Sequence, residues 1–286
     1  MAPDAAALNG LGNDLKDEGR WPEAEEAYRR AVMAAPEWPA PWFNLGLLYK
    51  LRRRWEDSLL CGLRATELAP DDQGAWWNLG IAATALGNWA LARRAWRSCG
   101  IAVPDGDGPP NMHLGPIPIR LDPDAAGEVV WCDRIDPARA VVRSIPLPAS
   151  RCHELDVALH DGEPNGYRIR DGRRLPVFDA LEILARSDRE TVELRLAAPH
   201  EGDVRELARL AETMDMTVED WTATVRPMCR RCSEGVPHSE HDEPAPATWS
   251  LLRHVGVSTR AGHRAGALLA RWSAESPGRR VIEGPR

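Results

Sequence analysis

At 286 residues with 43% apolar content, the chain is long enough for about two or three domains, each with a buried core. Its net charge is −7, and acidic residues outnumber basic ones on both sides of residue 108, by 15 to 12 before it and 28 to 24 after it. That balance argues against a nucleic-acid partner, whose phosphates call for clustered Lys and Arg.

The opening MAPDAAALNG has neither the basic start nor the apolar stretch of a signal peptide, and no run approaches the length of a membrane span. Six cysteines, dispersed except for Cys229 and Cys232, suit a reducing compartment. The expectation is a cytoplasmic protein. Only Lys16 and Lys50 among the 36 basic residues are lysines, a bias of GC-rich coding that fits a bacterial source.

The first 106 residues repeat. Windows 5–38, 39–72 and 73–106 align without a gap at a 34-residue period. Each carries a Leu–Gly pair (Leu11–Gly12, Leu45–Gly46, Leu79–Gly80), a tryptophan ten residues on (Trp21, Trp55, Trp89) and a closing proline (Pro36, Pro70, Pro104). Apolar residues recur at three and four within each half, the helical period, and each proline stands where its missing N–H ends a helix. The glycines allow a second helix to approach closely. One helix–turn–helix unit cannot bury both of its faces, whereas three stacked units can. Residues 1–108 are therefore expected to form a helical solenoid.

These residues resemble the tetratricopeptide repeat (TPR) family. Its pattern reads as Trp42, Leu45, Gly46 and Tyr49 in the second unit, as Ala24, Tyr28 and Pro36 in the first, and as Ala92, Trp96 and Pro104 in the third. The resemblance implies a superhelix whose concave face, built from the first helix of each unit, binds a peptide or protein segment. The groove positions fall on Asn9, Asn13, Phe43, Asn44, Leu47, Lys50, Trp77, Asn78 and Ile81. Some members clamp a terminal carboxylate with two Asn and several basic residues. Asn13 and Asn44 match the Asn positions, but the basic positions read Asn9, Gly74 and Asn78. Phe43 and Trp77 point instead to a more apolar ligand, or to a partner within the chain.

Pro and Gly crowd residues 104–118, which read as a linker. Beyond it, GEVVWCDRID, RAVVRSIPLP, ELDVALHDG and GYRIR are short β-branched runs separated by DP, PAS and EPNG turns. Residues 109–187 are expected to form a small β-rich barrel or sandwich. Cys132, Cys152, His153, His160 and Asp161 are its candidate chemistry, read here as structural residues, because a Cys/His pair acts only within hydrogen-bond reach. No G-x-S-x-G, P-loop or Rossmann glycine pattern is present.

In residues 188–286, TVELRLAAP reads as a strand, DVRELARLAETMD as a helix, DWTATVRPM and ATWSLLRHVGVST as strands, AGHRAGALLARWSAE as a helix and RRVIEG as a strand. The order is that of a split β-α-β, ferredoxin-like α+β domain. Between its halves lies CRRCSEGVPHSEH, which supplies Cys229, Cys232, His238 and His241. Two thiolates two residues apart and two imidazoles make a four-ligand set suited to tetrahedral zinc, and a filled set marks a structural ion. A catalytic zinc would need an open position, with Glu234, Glu240 or Asp242 as base. The expected function is a protein–protein adaptor with one structural zinc per chain. Alternatives are a zinc-dependent enzyme that recruits substrate through its repeats, and a toxin-neutralising or chaperone-like binding protein.

Overall fold

The computed structural model describes residues 4–121, 123, 127–224 and 249–284. They divide into two compact units, one comprising Met1–His113 and Ile135–Ala138, the other Leu114–Arg134 and Arg139–Arg286.

Among the described residues the first unit holds six helices: α1 (Ala5–Asp17), α2 (Trp21–Ala34), α3 (Pro39–Leu51), α4 (Trp55–Leu68), α5 (Gln73–Ala85) and α6 (Trp89–Ser98). The recurring tryptophan is the first residue of α2, α4 and α6. Each odd helix ends in the same left-handed turn. Arg20 N donates to Leu15 O at 2.8 Å, Arg54 N to Tyr49 O at 2.9 Å and Asn88 N to Ala83 O at 2.8 Å, the bond that closes a Schellman motif. Its left-handed residue is Gly19 (φ 75°), Arg53 (φ 57°) and Gly87 (φ 67°) in turn. The closing prolines also serve as acceptors. The Pro36 carbonyl takes the Trp42 indole N–H at 2.9 Å, and that of Pro70 takes Trp76 at 2.8 Å. Pro104 receives Arg93 Nε instead.

Two of the three Leu–Gly glycines, Gly12 and Gly80, are seats for aromatic rings. A Cβ on Gly12 would lie 2.5 Å from Tyr28 Cε1, and one on Gly80 would lie 2.6 Å from Trp96 Cη2. Tyr28 and Trp96 are both fully buried. The second repeat has Gly62 at the equivalent position, where Leu79 of the next repeat packs instead.

In the second unit β1 (Gly115–Arg120), β2 (Val129–Arg134), β3 (Arg139–Val142), β4 (Val157–Arg170) and β5 (Arg173–Ala185) form a closed barrel. Neighbours in sequence pair antiparallel, and β1 pairs with β5 in parallel through Ile119↔Phe178 and Arg120↔Asp179. An up-and-down run of five strands ends pointing as it began, so the closing pair has to be parallel. Ile119, Val130, Ala140, Val142 and Phe178 fill the interior.

β1 begins inside the stretch that reads as a linker and runs two residues past it. Its Pro116 and Pro118 are two apart, so both lack an N–H on one edge, and β5 pairs β1 only at the last two residues. The EPNG stretch, expected as a turn, continues β4 through register shifts around Pro164. The hairpin turn is at Asp171 (φ 50°) and Gly172 (φ 72°), two left-handed residues as a type I′ turn requires.

The chain continues through β6 (Arg189–Ala197), α7 (Glu201–Glu212), β7 (Thr217–Asp220), the short α8 (Trp221–Thr224), β8 (Leu252–Arg260), α9 (Gly266–Ala274) and β9 (Arg280–Glu283). The sheet order is β7-β8-β6-β9, antiparallel throughout. Leu207 and Leu210 of α7 and Leu268 and Trp272 of α9 pack with Leu194, Leu196, Val255 and Val257 of the sheet. Within DWTATVRPM, expected as a strand, the described residues 220–224 differ: β7 ends at Asp220, whose Oδ1 accepts from Thr222 N at 3.0 Å, capping a helical turn, and residues 225–228 lie outside the described residues. Trp221 joins sheet to barrel. Its indole donates to Ile145 O at 2.9 Å, while Ile145 N donates to Glu219 at 2.6 Å. Among the described residues no helix is long and apolar enough to cross a membrane.

Candidate protein-binding site

The period of 34 sorts the groove positions into registers. Asn9, Phe43 and Trp77 share one, and Asn13, Leu47 and Ile81 another. Asn44 and Asn78 share a third with Gly10, and Lys50 a fourth with Lys16 and Thr84. The two lysines of the chain thus occupy one repeat position, a signal visible in the sequence once the repeats are stacked.

Polar groups join the odd helices. Asn44 Nδ2 donates to Asn9 Oδ1 at 2.9 Å, linking α3 to α1, and Lys50 Nζ donates to Asn78 Oδ1 at 3.0 Å, linking α3 to α5. Asn13 Oδ1 accepts the Tyr28 hydroxyl at 2.8 Å. Desolvation, with Asp17 and Asp14 nearby, pushes that phenol up to about 12, so it stays a donor. Asn9, Lys50 and Ile81 are buried, so they set the face without offering much surface. Asn13, Phe43, Asn44, Leu47, Trp77 and Asn78 are half-buried.

The face is graded along the array. The α1 register positions are amides, those of α3 are Phe43 and Leu47, and those of α5 are Trp77 and Ile81. Phe43 reaches the start of α5, with its ring 3.5 Å from where Gly74 would carry a Cβ. Trp77 stands edge-on to Trp96, centroids 5.2 Å apart, and its buried Nε1 has no hydrogen-bond partner among the described residues. Sequence reasoning missed that stacking, because Trp96 belongs to the second helix of its unit. Lys16 is paired with Asp17 at 3.0 Å, which leaves little positive charge on the face.

His160 is fully buried, packs against Phe178 at 5.3 Å and donates from Nδ1 to Asp161 O at 2.7 Å. Burial lowers it to about 4, so it is neutral. Cys132 and Cys152 lie in the barrel core, and burial pushes the Cys152 thiol up, opposite to an activated nucleophile. His153 donates its backbone N–H to Asp156 at 3.0 Å. Cys229, Cys232, His238 and His241 lie outside the described residues. Among those described, no group of three His, Cys, Asp or Glu is placed to hold a metal.

No known family profile matches the chain, and no curated protein does. Among solved structures the chain is similar to the second TPR of Spaghetti (RPAP3) bound to the HSP90 peptide SRMEEVD, with 22% identity over 34% of this chain and 91% of that one, TM-score 0.33. It is similar to the Sgt2 TPR domain from Aspergillus fumigatus, with 24% identity over 34% of this chain and 64% of that one, TM-score 0.32. A third is the TPR2B domain of yeast Sti1 in complex with a pHsp70, with 20% identity over 33% of this chain and 76% of that one, TM-score 0.32. What makes residues 5–98 a tetratricopeptide-type array is their own geometry. Three helix–turn–helix units start at residues 5, 39 and 73, with one left-handed turn recurring in all three and a glycine seat for a ring in the first and third.

Proposed function

We propose that the protein is an adaptor whose helical unit binds an extended segment of a partner protein along α1, α3 and α5. The carrying observation is the graded face: half-buried Asn13, Asn44 and Asn78 beside half-buried Phe43, Leu47 and Trp77. Amides suit the backbone of an extended peptide, and the aromatic end suits apolar side chains. A terminal carboxylate is the poorer fit, because the clamp's basic positions hold Asn9, Gly74 and Asn78.

Affinity purification with the wild type and with Phe43→Ala/Trp77→Ala tests this reading. The proteins recovered should fall away in the variant while its thermal melt is retained. An unchanged set refutes groove binding.

We also propose a ferredoxin-like sandwich for the C-terminal sheet, supported by its β-α-β-β-α-β order and antiparallel pairing. A structural zinc on Cys229, Cys232, His238 and His241 is proposed from ligand type and spacing alone. A cytoplasmic location is proposed from the lack of a membrane-spanning helix among the described residues together with the dispersed cysteines.

A further inference from the structure

The barrel carries chemistry that the helical groove does not use. β3 pairs with β4 only from Val157 to Leu159, and β1 pairs with β5 only at Phe178 and Asp179. Between Tyr167 and Pro176 the two long strands pair with each other, a ribbon that outruns the barrel. Its root is fixed. The Arg120 side chain is only 3% exposed, and it donates to Asp179 at 2.8 Å and to Asn165 O at 3.1 Å, gripping both strands at once. Residues 167–176 carry four arginines against one acid, a basic spot on a chain of net charge −7.

An open cleft of about 660 Å³ lies beside the ribbon's end. The Arg170 guanidinium covers the Trp131 ring at 4.9 Å. Its ion pair with Asp171 is 3.9 Å long, and it makes no hydrogen bond among the described residues. Arg143, on the same cleft, donates through Nε to Asp133 at 2.7 Å, and its terminal nitrogens make no hydrogen bond among the described residues. Ile169, 60% exposed, and Pro116 supply apolar wall.

We propose that this cleft is a second binding site, for an acidic peptide segment of a partner protein. Carboxylate side chains seat on Arg143 and Arg170, and an apolar neighbour packs on Ile169 and Pro116. Guanidinium and carboxylate match as two-point donors and acceptors. The size suits a few residues, and two arginines are too few to hold a long phosphate backbone.

The test is fluorescence anisotropy on the full chain with a labelled peptide of alternating Glu and Leu. Its Gln/Leu counterpart and a labelled oligothymidylate complete the set. Arg143→Glu/Arg170→Glu, at exposed positions, should weaken the Glu/Leu peptide by ~tenfold or more while the variant's thermal melt is retained. Phe43→Ala/Trp77→Ala should leave that binding unchanged, which separates this site from the groove. Equal binding of the Gln/Leu peptide, or by the charge-reversed variant, overturns the proposal. So does oligothymidylate binding more tightly than the peptide with the same dependence on the two arginines. A dimer that the charge reversal dissociates would make a second copy the occupant and overturn it as well.

Discussion

Gly80→Ala should destabilise the helical unit even though alanine is the better helix former. The substitution gains about 1 kcal/mol of helix propensity in the middle of α5. It also places a methyl 2.6 Å from Cη2 and Cζ3 of Trp96, which is fully buried and edge-packed on Trp77. Overpacking of this kind costs about 1–3 kcal/mol. Gly10, on α1, has nothing within 4 Å of its Cβ position. Gly10→Ala therefore takes the propensity gain alone, and the gap between the two variants isolates the clash, about 1–3 kcal/mol. Urea unfolding followed by far-UV circular dichroism reads it as a shift in midpoint. The clashing atoms belong to the outer ring of the indole, which phenylalanine lacks. In a Trp96→Phe background the cost of Gly80→Ala should shrink, a coupling that a double-mutant cycle measures. Equal stabilisation by Gly10→Ala and Gly80→Ala, or no coupling to residue 96, refutes the ring-on-glycine packing.

Arg53 holds the left-handed position that Gly19 and Gly87 hold in the other repeats, so Arg53→Gly should stabilise by about 1 kcal/mol in the same assay, and Gly87→Arg should lose a similar amount. His160 titrates near 6.5 in the unfolded chain and at about 4 in the fold. The unfolded state therefore binds more protons between those values. Stability is whole above pH 6.5 and should fall by about 3 kcal/mol as the pH drops to about 4, a slope that His160→Gln flattens in melts across that range. Elemental analysis should find about one zinc per wild-type chain and none in Cys229→Ser; none in the wild type rules the site out.

The helical unit was legible because its punctuation is local. Pro36 and Pro70 end helices wherever they stand, and Gly19 and Gly87 suit the left-handed turn by themselves. The barrel was harder, because its signals mislead locally. Pro116 and Pro118 look like linker residues, and only the long-range pairing with β2 makes them a strand. Glu163-Pro164-Asn165-Gly166 has turn composition, yet the ribbon absorbs it as register shifts, and the turn goes to Asp171-Gly172. Trp221 alternates as a strand residue should, but Asp220 caps the chain into a helical turn and sends the indole to Ile145. Each of these was decided by a partner distant in sequence.

The groove shows the same division from the other side. Positions that recur every 34 residues are those the fold needs: the glycine seats at 12 and 80, the left-handed turns at 19, 53 and 87, and the proline carbonyls at 36 and 70. A ligand has no reason to repeat with the same period, so a face that recognises one has to break it. The registers that break it most are Asn9/Phe43/Trp77 and Asn13/Leu47/Ile81, both running from amide to apolar side chain. What stacking the repeats could not show is which of these face a ligand. Asn9 and Ile81 are buried. On the proposed reading, the surface left for a partner narrows to Asn13, Asn44 and Asn78 beside Phe43, Leu47 and Trp77, where the polar and apolar registers adjoin.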